Sequence, residues 1–200
     1  MVLILDRQHY GKPDQDDLGA GADLDGDGVV ELYEREANLT LIYINAAKEL
    51  AEAEGHTVYI LDYGWYSSRH EKAIEIAREH PDDMCAYIAC HLNAGGGDYS
   101  LTLHDYRSRG GEKLAKAISL EMSAQVPEIR RHLSQAASPE QWTNGYYTIK
   151  GIYAGPGNLS GMCFEPVFMD NVDHQALLTD EGLTILGQAL AEGCIAWGTE

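Results

Sequence analysis

Near the middle of this 200-residue chain stands the run MCAYIACHLNA (Met84–Ala94), followed at once by three glycines. Its first seven residues are mostly apolar, which predicts a buried strand over 84–90 that ends just before His91. The N-terminal run 2–6 has the same character and is followed by His9 in a polar loop. Because ligands of open α/β sheets collect at the carboxyl ends of the strands, the two histidines indicate a shared site.

Outside this run, strand-like apolar segments alternate with segments of helical periodicity. Strands are predicted at 2–6, 56–62, 84–90, 98–106 and 161–165, with a further strand or hairpin at 146–152. Helices are predicted at about 32–53, from Ser67 or Ser68 to about 80, at 110–126 and, as one or two helices, at about 173–197. The alternation is typical of an α/β fold: a single domain over 1–200 with a mostly parallel twisted sheet of about six strands and helices on both faces.

The composition excludes several kinds of partner. The formal net charge is −18, from 14 basic and 32 acidic residues, which argues against nucleic acid and against a polybasic membrane anchor. No apolar run approaches the roughly 20 residues that cross a bilayer, so membrane insertion is not expected. The N-terminus lacks the basic segment of a signal peptide. We therefore expect synthesis in the cytoplasm, followed by retention there or by release without a Sec signal.

The histidines at two strand ends are candidate metal ligands. Catalytic zinc sites commonly use three protein ligands, so a third ligand must reach the same edge of the sheet. The predicted first helix starts there, and Glu31, Glu34 and Glu36 lie close to its start. Each residue also has an ordinary explanation, because strand-end histidines are often only hydrogen-bonded and acidic residues complement a helix dipole. It is the combination that favours a metal site.

Four short motifs occur in order along the chain, each at a predicted strand or helix end. They are DRQHYG (6–11), EREANL (34–39), ACHLNA (89–94) and FEPVFMDN (164–171). Together they resemble the zinc-dependent N-acetylmuramoyl-L-alanine amidases of the Amidase_3 type, with motifs like D-x-G-H-G, E-K-x-x-N-L, S-I-H-x-N-A and V-E-x-G-F-x-x-N. The chain departs from these motifs at Gln8, Cys90 and Pro166.

The resemblance implies that zinc is held by His9, Glu34 and His91 and that Glu165 is the catalytic carboxylate. The implied reaction is hydrolysis of the amide between N-acetylmuramic acid and L-alanine in peptidoglycan. Such a zinc ion lowers the pKa of bound water, and a separate glutamate can take the proton of that water. Asn93 or the backbone N–H groups of residues 94–97 are candidates for binding the oxyanion or the glycan. Arg69 is a candidate substrate contact, or a partner for a carboxylate near the site.

On this interpretation, residues 1–200 form a single catalytic domain without a separate wall-binding domain, and the protein acts on peptidoglycan as a monomer. A phage endolysin released by a holin fits this description, and so does a bacterial enzyme exported by another route. Two alternatives stay open. One is a non-catalytic, metal-stabilised wall-binding module, and the other is a zinc peptidase that cleaves elsewhere in the stem peptide.

A second metal motif lies in the acidic loop DLDGDGVVE (23–31). It matches the start of a calcium loop, with oxygens expected from Asp23, Asp25, Asp27, the backbone of Val29 and a later acidic residue. A full loop of this type would use Glu34 last. Because the zinc assignment already uses Glu34, we expect Glu31 to close a shorter calcium site. The alternative is a solvated acidic turn.

Four aromatic residues of an irregular segment have two interpretations at this stage. They either line a glycan groove or fill the core: Trp142, Tyr146, Tyr147 and Tyr153.

Overall fold

A computed structural model of the protein describes residues 1–142 and 146–199. In chain order these residues contain β1 (Val2–Arg7), α1 (Glu36–Ala53), β2 (Thr57–Leu61), α2 (Tyr66–Glu79), β3 (Cys85–Cys90), β4 (Tyr99–Asp105), α3 (Arg109–Gln125), β5 (Arg131–Ala137), β6 (Leu159–Glu165) and α4 (Asp180–Gly198). Short 3₁₀ helices occupy Leu32–Glu34, Ile152–Ala154 and Val172–Leu178. Within the described ranges, no helix has the length and apolar character needed to cross a membrane.

The six strands form one sheet in the order β2-β1-β3-β6-β4-β5. β1, β2, β3 and β6 run parallel to one another, whereas β4 is antiparallel to β6 and parallel to β5. Arg7 pairs with Cys90, and Cys90 pairs with Phe164. Three neighbouring strands therefore end at the same edge of the sheet. The predicted α/β fold with a mostly parallel sheet of about six strands is confirmed.

Helices cover both faces of the sheet, as predicted. Side chains of β1 point alternately to the two faces. Leu3 and Leu5 join the core under α1, α3 and α4, whereas Val2 and Ile4 join the core under α2. Every residue of β1 and β3 is buried, as expected for parallel strands covered on both sides.

One of the six strands, β5, is not among the strands predicted from the sequence. The strand or hairpin predicted at 146–152 is wrong, because residues 146–151 form turns that lead into the 3₁₀ helix Ile152–Ala154. β5 is an edge strand of sequence RHLSQAA, and most of it is half-buried. Its polar residues lack the apolar pattern that predicts a strand, so its pairing with β4 determines its conformation.

The first helix begins at Glu36 rather than near Leu32. Leu32–Glu34 form a 3₁₀ turn, and Arg35 has an extended backbone with φ −84° and ψ 142°. This break gives Glu34 and Glu36 different directions. The break therefore decides which of the two glutamates faces the carboxyl edge of the sheet, where the candidate site lies.

Candidate metal centre and catalytic carboxylate

The turn after β1 carries His9 at the carboxyl edge of the sheet. His9 has φ 61°, a left-handed conformation that is uncommon for residues other than glycine. The guanidinium of Arg69 holds this turn from beneath. Its Nη1 donates to the Arg7 carbonyl oxygen at 2.6 Å and pairs with Asp6 Oδ1 at 2.6 Å, and its Nη2 donates to the Tyr10 carbonyl oxygen. The backbone on both sides of His9 is therefore fixed.

The Arg69 side chain is buried beneath the turn that carries His9. It is only 2 % exposed, and its Nε also donates to the Gly64 carbonyl oxygen at 2.8 Å. Its expected pairing with a carboxylate near the site is with Asp6. Because the Arg69 guanidinium binds acceptors of the protein itself, the structure does not favour its predicted substrate contact, which stays a prediction.

His91 follows β3 directly, and its backbone N–H donates to the Phe164 carbonyl oxygen at 2.9 Å. Its Nδ1 lies 2.9 Å from Oε1 of Glu36, and Nε2 of His9 lies 3.6 Å from the same oxygen. The ligand atoms offered by these three residues all lie within 4.8 Å of one another. The structure thus brings the two predicted histidines together and adds Glu36 as the third member of the group.

The Glu36 carboxylate is 3 % exposed and is held by backbone donors. Oε1 accepts from the Leu92 N–H at 3.1 Å, and Oε2 accepts from the Ala20 N–H at 3.1 Å. Burial by itself raises the pKa of Glu36, but the hydrogen bond and charge of His91 and the charge of His9 outweigh it, so the pKa is lowered. An anionic carboxylate enclosed by two imidazoles can hold a metal cation.

Burial acts in the opposite direction on His91. It lowers the pKa of the imidazole, but the hydrogen bond to Glu36 and the charge of that carboxylate prevail, so the pKa is raised. The charge of Glu165 adds to the effect.

Glu34, the predicted third zinc ligand, does not join the histidines. Its side chain is buried, with Oε1 accepting from the Leu24 N–H at 2.6 Å and Oε2 accepting from the Glu31 N–H at 2.9 Å. It belongs instead to the acidic loop, where Asp25, Glu31 and Glu34 offer oxygens within 4.8 Å of one another. The reason is the extended backbone at Arg35, which separates the 3₁₀ turn that contains Glu34 from Glu36, the first residue of α1.

Asp17 is a further site residue, which the sequence reasoning did not single out. Nδ1 of His9 lies 3.1 Å from both of its carboxylate oxygens. Burial raises the pKa of Asp17, but hydrogen bonds from Lys12, from the Gly19 N–H and from His9 lower it overall to about 2. A carboxylate on the far nitrogen of a metal-binding imidazole orients the ring. In the sequence, nothing separates Asp17 from the other aspartates of the same loop.

Glu165 ends β6 at the same edge of the sheet. Its Oε1 accepts from the Tyr146 hydroxyl at 2.8 Å, and its Oε2 accepts from Nδ2 of Asn93 at 2.7 Å. Asn93, a predicted substrate-binding residue, thus donates one amide N–H to this carboxylate.

The glycine loop after Asn93 is already hydrogen-bonded within the protein. The N–H groups of Gly95 and Gly96 donate to Asp170 at 2.8 and 3.0 Å, and the Ala94 N–H donates to Oδ1 of Asn93 at 2.8 Å. These three backbone donors were candidates for binding an oxyanion. In this arrangement they bind the protein's own acceptors instead.

The four aromatic residues have different surroundings. Trp142 and Tyr146 pack against the core under α2, with ring centroids 5.5 Å apart. Tyr147 is half-exposed and lines, with Tyr66, an open groove of about 440 Å³. Tyr153 is also half-exposed, and the Arg107 guanidinium lies over its ring. Two of the four therefore fill the core, and Tyr147 lines a groove.

No family model matches the chain, and no curated protein matches it. Solved structures do match its fold. The N-acetylmuramoyl-L-alanine amidase AmiC2 of Nostoc punctiforme has a TM-score of 0.72 and 15% identity, over 100% of this chain and 98% of that one. The CwlD amidase from Clostridioides difficile, in complex with the GerS lipoprotein, has a TM-score of 0.71 and 19% identity, over 98% and 97%. The catalytic domain of the CD27L endolysin targeting Clostridia Difficile has a TM-score of 0.66 and 16% identity, over 98% and 97%. The chain therefore has the fold of these amidases, as its four motifs imply.

Proposed function

We propose that this chain is a zinc-dependent N-acetylmuramoyl-L-alanine amidase, which hydrolyses the amide between N-acetylmuramic acid and L-alanine in peptidoglycan. The observation that carries the proposal is the convergence of His9, Glu36 and His91 at the sheet edge that also bears Glu165. The likeness to solved amidases over nearly the whole chain supports it.

The donor set suits zinc. Two imidazole nitrogens and one carboxylate oxygen are ligands of catalytic zinc sites, which keep a further position for water or substrate. Glu36 Oε1 stands 2.9 and 3.6 Å from the two histidine nitrogens. Tetrahedral ligands at about 2.0–2.1 Å from one ion lie about 3.4 Å from each other, so these separations already fit.

Zinc bound there supplies a Lewis acid that polarises the scissile carbonyl and lowers the pKa of water. The protein's own groups do the rest. Glu165 takes a proton from the attacking water and returns it to the departing amine of L-alanine. Asp17 occupies Nδ1 of His9 and so keeps Nε2 directed at Glu36. Asn93 and Tyr146 hold the two oxygens of Glu165.

Peptidoglycan is the proposed partner, and we propose that the protein acts on it as a monomer through a single catalytic domain. The likeness to an endolysin catalytic domain supports a role in lysis of the cell wall.

Digestion of purified peptidoglycan tests the proposal. The protein is incubated with it alone, with a zinc chelator, and as the variant Glu165→Gln, which keeps the side chain's shape but cannot accept the proton. New L-alanine amino termini that vanish in both controls are the expected result. Binding without cleavage indicates a wall-binding module instead, and new termini elsewhere in the stem peptide indicate a peptidase.

We also propose a calcium ion in the acidic loop. Asp23, Asp25 and Asp27 offer oxygens within 4.8 Å of one another, as do Asp25, Glu31 and Glu34. The hydrogen bond between Glu31 and Glu34 is the main cause that raises the pKa of Glu31, because crowded carboxyls favour a proton or a cation. Since Glu34 is not shared with the histidines, it is available as the last ligand of a twelve-residue loop, beside or in place of Glu31.

A further inference from the structure

Two side chains from different parts of the chain donate hydrogen bonds to the carboxylate of Glu165, one to each oxygen. Asn93, just beyond β3, donates to Oε2 at 2.7 Å, and Tyr146, from the turn after residue 145, donates to Oε1 at 2.8 Å. We propose that Tyr146 is a positioning residue, which sets the orientation of the Glu165 carboxylate for proton transfer. This inference rests on the proposed function and assigns a role to a residue outside the four motifs.

Among the described residues, no other strong donor reaches Oε1 of Glu165. The other described donor to Oε1 is the thiol of Cys163, whose Sγ lies 3.8 Å away and is a weak donor. Burial is the main cause that raises the pKa of Tyr146, and its hydrogen bond to Glu165 adds to it. The phenol is therefore protonated and donates at neutral pH.

The hydroxyl belongs to a turn that is hydrogen-bonded to the rest of the protein. The Tyr146 carbonyl oxygen accepts from the N–H groups of Ile149 and Lys150 at 3.1 and 3.0 Å. Within the turn, the Thr148 carbonyl oxygen lies 2.8 Å from Nε2 of His70 and accepts from the Tyr87 hydroxyl at 3.3 Å. A hydroxyl fixed in this way holds the carboxylate in one rotamer.

A carboxylate with one donor on each oxygen has a defined plane. Each oxygen keeps a second lone-pair direction for a proton. Because general-base catalysis requires the base to meet the proton at hydrogen-bond distance and in line, a carboxylate free to rotate transfers it less often. The clamp formed by Tyr146 and Asn93 removes that freedom before substrate binds.

Tyr146→Phe removes the hydroxyl and keeps the ring. Tyr153→Phe makes the same chemical change in the same irregular region, at a ring that contacts Arg107 and lies outside the clamp. In peptidoglycan digestion we expect Tyr146→Phe to lower kcat about 10- to 100-fold with KM unchanged, because a hydrogen bond to a charged group is lost. Tyr153→Phe should resemble the wild type.

Two further measurements separate positioning from a structural role. If Tyr146 acts only through Glu165, Tyr146→Phe should bind zinc with the wild-type calorimetric Kd, whereas a structural role in the site weakens zinc binding. In the metal-free protein, the NMR order parameter of the Glu165 side chain should fall in Tyr146→Phe but not in Tyr153→Phe.

The outcomes distinguish this inference from the proposed function. A wild-type protein that releases no L-alanine amino termini overturns the proposed function, while the order parameter still reports whether Tyr146 holds Glu165. An active protein in which Tyr146→Phe matches Tyr153→Phe in kcat and order parameter overturns the positioning role.

Discussion

Replacing Glu36 by glutamine, with Glu34→Gln as the matched control, tests which glutamate holds zinc. Oε1 of Glu36 lies 2.9 Å from Nδ1 of His91 and 3.6 Å from Nε2 of His9. The oxygens of Glu34 instead accept from backbone N–H groups in the acidic loop. Only the first substitution removes a charged carboxylate oxygen from beside the histidines.

The size of the effect follows from what each carboxylate does. Loss of a residue that merely orients a ligand costs about 10- to 100-fold in metal affinity. Loss of the ligand's own charge in Glu36→Gln is therefore expected to cost at least about 100-fold, or about 2.7 kcal/mol. In the metal-free protein, the new amide also meets the buried N–H of Ala20 or Leu92 with its own N–H. An unpaired buried donor costs about 1–3 kcal/mol, which for a chain of this size lowers Tm by about 2–12 °C.

Zinc titration calorimetry against a competing chelator gives the affinities, and scanning calorimetry of the metal-free proteins gives Tm. We expect Glu34→Gln to bind zinc as the wild type does. The reasoning is refuted if Glu36→Gln keeps wild-type affinity while Glu34→Gln loses it, which would restore the assignment implied by the sequence motif.

Three other changes have definite expectations. Asp17→Asn should weaken zinc binding about 10- to 100-fold by releasing the His9 ring, and an unchanged calorimetric Kd would contradict this. In the metal-free protein, the pKa of Asp17 is lowered to about 2, so the Asp17 carboxylate stabilises the fold fully above its ordinary pKa of about 3.9. This stabilisation is lost as the pH falls towards 2, where the acid-unfolding curves of the wild type and of Asp17→Asn should converge. Arg69→Met leaves the Asp6 carboxylate buried without its cation and should lower the free energy of unfolding by about 3–5 kcal/mol, measured in urea; a loss below about 1 kcal/mol would mean that the pair does not hold the turn. Removal of calcium should lower Tm without changing zinc content, and superimposable melting curves with and without calcium would rule out the loop site.

The positions of His9 and His91 could be located from the sequence because each lies just beyond the end of an apolar strand, whereas Glu165 was assigned through the resemblance of the motif at 164–171. Strands covered on both faces read as continuous apolar runs, and their carboxyl ends must meet where neighbouring strands are parallel. The edge strand β5 carries no such signal, since its residues are polar and half-buried. The sequence predicts a strand in place of the turn at Tyr146, because aromatic residues are common in strands as well as in packed turns.

The amino-acid sequence by itself determined the α/β architecture, the edge at which the site forms and two of the three residues that converge there, because these depend on local apolar patterns. Only the tertiary structure shows that Glu36, and not Glu34, lies beside the two histidines, because one extended residue, Arg35, redirects the backbone between them. It also gave Arg69 a buried partner 63 positions away and brought Tyr146 to Glu165. Contacts of this kind depend on how separate elements pack, and no pattern along the chain records them.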